Sequence, residues 1–291
     1  MRSFNRVQKR LDKERYFFIG SPAVIWQALF FYLPLLLMLV TSIMQISDSG
    51  KFGSFTFVNY VDSFSQTHLG IIFKSLGFSF SIAVISFCIA YPISHFVIFH
   101  AKKYKSLFLF FLIVPFWTNF LLHVYAWFFV LEKKGFLNNL LLTFGVINEP
   151  VHFLNSLFAI ILMMIYCYFP FMVLPIVSSL ERFNTSLIEA SHDLGASRIQ
   201  TLFRITLPIN LPAIKAGFFL VFIPSFGEFI IPELMGGDKQ YFVGNVVSQY
   251  ILGTNTEAIG SAFMVLSASC LFLAIFCIHL LFKKLEKRGA L

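Results

Sequence analysis

Charge is what this sequence has least of. Acidic and basic side chains make up 12% of its 291 residues and apolar ones 58%, against roughly 25% and 45–50% in soluble domains. So few polar groups cannot coat so much apolar surface, which excludes an ordinary soluble enzyme and equally a disordered segment. Cysteine is sparse too. Cys88, Cys167, Cys270 and Cys277 all fall inside apolar runs, at no spacing that resembles a metal site or a disulfide framework. A G-x-x-x-x-G-K-[ST] phosphate loop is missing: the Gly50-Lys51 pair precedes Phe52 and lacks the earlier glycine. Neither an H-E-x-x-H pair nor a G-x-S-x-G elbow occurs. These absences predict no catalytic residue, no metal, no cofactor and no nucleotide site. The net charge of +8 does not point to nucleic acid, because the bases lie between long uncharged blocks. What remains is an integral membrane protein.

Long apolar runs are what the chain has in quantity, and a helix crossing about 30 Å of hydrocarbon needs about 20 such residues. Five uncharged windows, Arg15 to Asp48, Lys74 to Lys102, Lys105 to Glu132, Glu149 to Glu181 and Glu257 to Lys283, predict helices near 22–46, 75–99, 107–130, 155–179 and 260–282. A sixth span near 214–236 is opened by Lys215, interrupted by Pro224 and Pro232, and carries Glu228 and Glu233. Six spans put both basic ends on one side. The bases then cluster in residues 1–15, at Lys102, Lys103 and Lys105, at Arg182, Arg198, Arg204 and Lys215, and in 283–288, leaving Lys51, Lys74, Lys133, Lys134 and Lys239 elsewhere. By the positive-inside rule both termini are cytoplasmic. Residues 135–148 and 240–256 read as helices or turns at the outer surface. The expected organisation is a basic arm over 1–21, a retained first helix over 22–46, a membrane domain over 71–282 and a tail over 283–291.

The connection over 181–213 has its own pattern. Phe183, Leu187, Ala190 and Leu194 recur at one helical stripe, with Glu189, His192 and Asp193 off it. Gly195 suits a left-handed helix end, and Ser197 can cap a second short helix carrying Ile199, Leu202, Phe203 and Thr206 before Leu207-Pro208 stops it. Periodicity leaves two readings open: a docking pad, or a helix pair lying on lipid head groups.

Glu189-Ala190-Ser191, three residues, Gly195, nine residues, then Ile205-Thr206-Leu207-Pro208 resembles the EAA loop (EAA-x3-G-x9-I-x-LP) of permease subunits of binding-protein-dependent ABC importers. Serine stands where the pattern has its second alanine. The resemblance implies an all-α, six-helix, type I (MetI-like) fold in which this loop forms coupling helices seated on a separate ATPase. Glu189, Ala190, Ser191, Gly195, Ile205, Leu207 and Pro208 would then be the ATPase-coupling residues. It further implies as partners a second permease subunit, an ATPase dimer, and a periplasmic or tethered solute-binding protein, all at a bacterial inner membrane and in contact with its lipid.

Leu112–Asn119, Val124–Trp127, Lys134–Asn138 and Pro224–Gly237 are similar to permease subunits of spermidine/putrescine importers, which implies a polyamine substrate. The residues lean the same way. Carboxylates and proline breaks inside a span face water-filled cavities or partners, and Glu228 and Glu233 have both features. Five residues apart is about 140° around a regular helix, so the two share a face only if Pro232 bends the chain. Trp117, Tyr125 and Trp127 could offer aromatic faces to a polycation. The competing readings are interfacial belts for the aromatics and a solvated outer position for Glu233. At the level of function, the rivals are a same-family permease for another solute and a secondary transporter or channel needing no ATPase.

Overall fold

The computed structural model describes residues 20–46, 52–237, 240–253 and 256–289. Most of the basic arm, Asp48, Lys51, Asp238, Lys239, Asn255 and the end of the tail lie outside the described residues. In chain order come α1 (Gly20–Ser42), β1 (Met44–Ile46), β2 (Phe52–Phe55), α2 (Val58–Ser63), α3 (Gln66–Phe99), α4 (Lys105–Ile113) and α5 (Phe120–Leu131). Then follow α6 (Phe136–Thr143), α7 (Leu157–Glu181), α8 (Ser186–Asp193), α9 (Arg198–Ile209), α10 (Leu211–Gly227), α11 (Ile230–Gly236), α12 (Val243–Leu252) and α13 (Glu257–Gly289). Among the described residues, α1, α3, α7 and α13 are each long and apolar enough to cross a membrane. Two bent pairs, Lys102–Trp117 with Phe120–Thr143 at 102° and Arg198–Ile209 with α10 at 70°, bring the number of candidate spans to six if each pair counts as one.

The chain forms two compact units, one holding α1, the strand pair, α2 and residues 250–266, the other holding 66–249 and 267 onward. In the first, α1 contains a wide π turn at Ala28–Tyr32. Pro34 has no N–H to offer Phe30, and the π turn relocates the ladder, with the Leu33 amide donating to Ala28 O. The helix ends at Ser42 rather than continuing to 46. Asn59 Nδ2 donates to Ser42 O (3.1 Å) and Met44 O (2.9 Å), and Ser42 Oγ meets Tyr60 Oη at 2.8 Å. With its last carbonyl satisfied by a side chain, the backbone turns into β1, which pairs antiparallel with β2.

The second unit is built on α3, α7 and α10, which pack against one another. Lipid is as apolar as a protein core, so helices in a bilayer are held by close fit rather than by the hydrophobic effect. The inward face of α3 accordingly carries Ser75, Ser79, Ala83, Ser86, Ala90 and Ser94, all buried and all small. Opposite them α7 contributes Ile160, Met163, Met164, Met172, Val173 and Ile176, and α10 contributes Val221 and Phe222. At Gly217 a Cβ would stand 3.0 Å from Met172 Sδ and 3.1 Å from Met172 O, so glycine lets α10 cross α7 this closely without Met172 having to give way. Lys105 pairs with Glu181, and Lys215 Nζ lies 3.6 Å from Glu286 Oε1, tying α4 to α7 and α10 to α13.

The continuous third helix expected over 107–130 is broken. A 3₁₀ turn at Val114–Trp117 follows α4, and Asn119 then caps α5, its Oδ1 accepting from the Leu121 amide at 2.8 Å. Pro115 cannot donate to the ladder, and the carbonyls freed by the break find other partners. Pro115 O receives Thr118 Oγ1 (2.8 Å) and His123 Nε2 (2.9 Å), while Tyr166 Oη on α7 reaches His123 Nδ1 at 2.8 Å. Beside this knot lies a cavity of about 510 Å³, walled by Ile89, Ile93, Phe111, Leu112, Trp127 and Leu162 among others. No carboxylate lines it.

Residues 135–148 do contain a short helix, α6, and its Asn138 is fully buried. The side chain donates to Glu132 O (3.1 Å) and Val151 O (2.9 Å) and accepts from the Val151 amide (2.9 Å), clamping the approach to α7.

Candidate functional site

The 181–213 connection is a pad of two helices around one glycine. At Gly195 φ is +80°, a left-handed turn that other residues adopt at a cost. The Gly195 amide donates to His192 O (2.9 Å) and the Ala196 amide to Ser191 O (3.0 Å), the two bonds of a Schellman motif. Ser197 then starts α9 with a capping box: the Gln200 amide donates to Ser197 Oγ (3.3 Å) and the Ser197 amide to Gln200 Oε1 (2.9 Å). Local chemistry fixes the bend.

Most of the expected stripe is exposed. Leu187, Ala190 and Glu189 are exposed and Leu194 is 89% exposed, whereas Ser191 faces inward and is buried. Phe183 leaves the stripe altogether and meets Phe99 edge-on at 6.1 Å. In α9, Ile199 (69%) and Phe203 (62%) are exposed while Thr201 and Thr206 are buried. A π turn over Leu202–Thr206 rotates the two sides of the helix, so its four apolar-side residues do not form one face. Nor does Leu207-Pro208 stop the helix. The Leu207 amide bonds back to Leu202 O, which shifts the ladder past the proline, and the helix runs on to Ile209. Ile205, Leu207 and Pro208 are half-buried. Leu187, Leu194, Ile199 and Phe203 are thus exposed large apolar side chains on the pad.

Ser191, the departure from the EAA pattern, joins the two pad helices. Its Oγ lies 2.8 Å from Thr201 Oγ1, both buried, and also donates to Ile188 O at 2.8 Å.

A second feature is the break between α10 and α11. It falls at Glu228-Phe229, not at Pro232, which is buried in the first turn of α11. Amides in a first turn have no helical acceptor, so a proline there loses nothing. Glu228 caps the new helix instead. Its Oε1 accepts from the Ile230 amide (3.0 Å) and its Oε2 from Tyr168 Oη on α7 (2.7 Å). Gly244 of α12 presses on the same break, where a Cβ would come within 2.6 Å of Gly227 O. Glu233 stands exposed and accepts from Asn245 Nδ2 (2.7 Å), which also reaches Phe229 O (3.2 Å). The two carboxylates thus have different partners, on α7 and on α12. Trp117 and Tyr125 are exposed, Trp117 meeting Phe110 edge-on, while Trp127 packs against Tyr166. The aromatic that meets Glu228 is Tyr168, which carries no local sequence signal. Among the described residues no group of histidine, cysteine and carboxylate side chains could hold a metal ion.

The family model described as binding-protein-dependent transport system inner membrane component matches residues 16–289. The chain belongs to that family. It is therefore a multi-pass inner-membrane transport component of the MetI-like permease class rather than an enzyme. Among its relatives, the spermidine/putrescine transport system permease protein PotB of Haemophilus influenzae is 34% identical over 265 residues, covering 90% of this chain and 92% of that protein. PotB of Escherichia coli K12 is 37% identical over 238 residues, with 81% and 86% covered. The crystal structure of a bacterial ABC transporter that imports the acidic polysaccharide alginate superposes with a TM-score of 0.73 at 18% identity, covering 96% of this chain and 99% of that one. That likeness establishes the permease fold. Because the alginate importer's cargo is acidic, the fold does not choose the charge of the solute.

Proposed function

We propose that this permease carries polyamines inward across the membrane, paired with a second permease subunit, driven by two copies of a separate ATPase and loaded by a solute-binding protein. The similarity to spermidine/putrescine permeases over nine-tenths of the chain carries the choice of cargo. In this reading both termini and the 181–213 pad lie on the cytoplasmic side, and Leu187, Leu194, Ile199 and Phe203 are the apolar contacts that the ATPase covers. Glu189 stands at the rim of that face, where a charge sets register more than affinity. Closure of the ATPase pair pushes the pad, and the pad turns the spans between outward- and inward-open arrangements. The chain itself forms and breaks no covalent bond.

Glu228 is the proposed first contact of the cation within the spans. Its carboxylate is held by one hydroxyl and the turn of α11, which keeps it from being fully solvated and leaves lone pairs for an ammonium. Glu233, exposed, would attract the cation more weakly. Trp117 and Tyr125 remain further candidates at exposed positions. The decisive experiment is labelled spermidine uptake by vesicles containing the complete assembly, with and without ATP: uptake is expected only with ATP. Movement of spermidine by the isolated chain would sink the reading, and ATP-dependent movement of some other solute alone would sink the cargo.

A further inference from the structure

We propose that Asn210 is the pin through which movement of the pad reaches two spans at once. This rests on the reading that the pad receives work from an ATPase.

Asn210 is the one turn residue between α9 and α10, at the 70° bend, and it is fully buried. Every polar atom it has is used across that joint. Its Nδ2 donates to Thr206 O at 2.6 Å, gripping the last turn of α9, and its Oδ1 accepts from Ser179 Oγ on α7 at 2.6 Å. Its carbonyl accepts the Ala213 and Ile214 amides of α10, each at 3.0 Å. On the pad side the bonding continues, with Thr206 Oγ1 reaching Thr201 O at 3.5 Å and Thr201 Oγ1 reaching Ser191 Oγ at 2.8 Å. A hydrogen-bonded line therefore runs from α8 through α9 to α7 and the start of α10. Leu202 and Leu207, half-buried nearby, offer only apolar, non-directional contact. A buried amide bonded at both ends is directional, and breaking it leaves donors and acceptors with no replacement. Rotation of the pad must then carry α7 and α10 together, the two helices that meet at the Tyr168–Glu228 contact.

The test uses the complete assembly in vesicles, reading spermidine uptake and ATP hydrolysis on the same sample. Asn210→Ala is expected to lower the solute moved per ATP by about fivefold or more, the lower end of ordinary coupling free energies, while hydrolysis continues. Ser179→Ala cuts only the bond to α7 and is expected to lower the same ratio by less. Asn210→Asp keeps the acceptor for Ser179 but loses the donor to Thr206, and should fall between them. A merely structural residue would lower assembly, uptake and hydrolysis together and leave the ratio alone. Unchanged ratios in both Asn210→Ala and Ser179→Ala overturn the pin, as does parallel loss of uptake and hydrolysis in Ser179→Ala. If Asn210→Ala does not insert, Ser179→Ala decides. Uptake by the unaltered assembly without ATP would instead sink the functional reading, and the pin with it.

Discussion

The pad and the α10–α11 break both interrupt the helical chain, yet they are held in different ways. In the pad, each bond that makes the bend joins residues within five positions: Gly195 to His192, Ala196 to Ser191, Gln200 to Ser197. At the break, one bond is local, from the Ile230 amide to Glu228, but the others that position Glu228 and Glu233 come from Tyr168 and Asn245, 60 and 12 residues away. A locally encoded bend holds its shape wherever its ends are pushed, which suits a part that transmits force. A break held from other helices changes when those helices move, which suits a part that must open.

The strongest way to break this contrast is Gly195→Pro. Proline cannot reach a φ of +80° and removes the amide that bonds to His192 O, a cost of about 3 kcal/mol or more. Uptake by the complete assembly should fall about a hundredfold, with the spans still inserted. Near-normal ATP-dependent uptake by this variant would mean that the bend is not what transmits.

Glu228→Gln probes the α10–α11 break. Glutamine keeps an oxygen to accept from the Ile230 amide, so the cap survives, but the charge that Tyr168 and a cation would share is gone. Spermidine uptake should drop about tenfold, the scale of one charge-assisted hydrogen bond, without loss of assembly. Tyr168→Phe should have a smaller effect in the same direction. Wild-type rates in Glu228→Gln would leave the residue as a helix cap and nothing more.

How much of this could be read from residues alone divides along the same line. Gly195, Ser197 and the helix pair around them were legible because caps and left-handed turns are short-range chemistry. Which side of that pair faces outward was not, because the answer depends on tertiary partners: Ser191 on α8 and Thr201 on α9 find each other, and Phe183 finds Phe99 on α3. Interruptions were expected at Pro224 and Pro232, but α10 runs on through Pro224; Pro232 breaks nothing either. Its position within the first turn of α11 makes it harmless there, and Glu228-Phe229 carries the break instead. Tyr168, Asn210 and Asn245 each act through a partner at least 12 residues away or on another helix, so no spacing rule would have singled them out. Six candidate spans were visible from charge alone, but the first ends at Ser42, the third is broken where Pro115 and Asn119 interrupt its ladder, and the sixth is broken at Glu228-Phe229.

Leu194→Glu sharpens the claim that the pad's outer face is made for a partner. The side chain is 89% exposed, so stability of the chain alone should stay within about 0.5 kcal/mol. Binding of the ATPase should weaken by about fivefold or more if Leu194 is covered in the complex. Equal retention of the ATPase by both forms in a detergent pull-down would favour the lipid-surface reading of the pad.

The smallest expected effect is Ser191→Ala, which restores the second alanine of the EAA pattern. Thr201 Oγ1 loses one partner but still donates to Ser197 O at 3.1 Å, so no buried hydroxyl is stranded and the loss should be about 0.5 kcal/mol, the lower end for a net hydrogen bond. A double cycle with Thr201→Val separates the two contributions. If the serine's role is to lock α8 to α9, the pair of changes should cost less than the sum of the single ones, because the shared bond is counted once. Strict additivity would mean that the pad is rigid through Gly195 and its caps alone, and that the hydroxyl pair merely fills space between the helices.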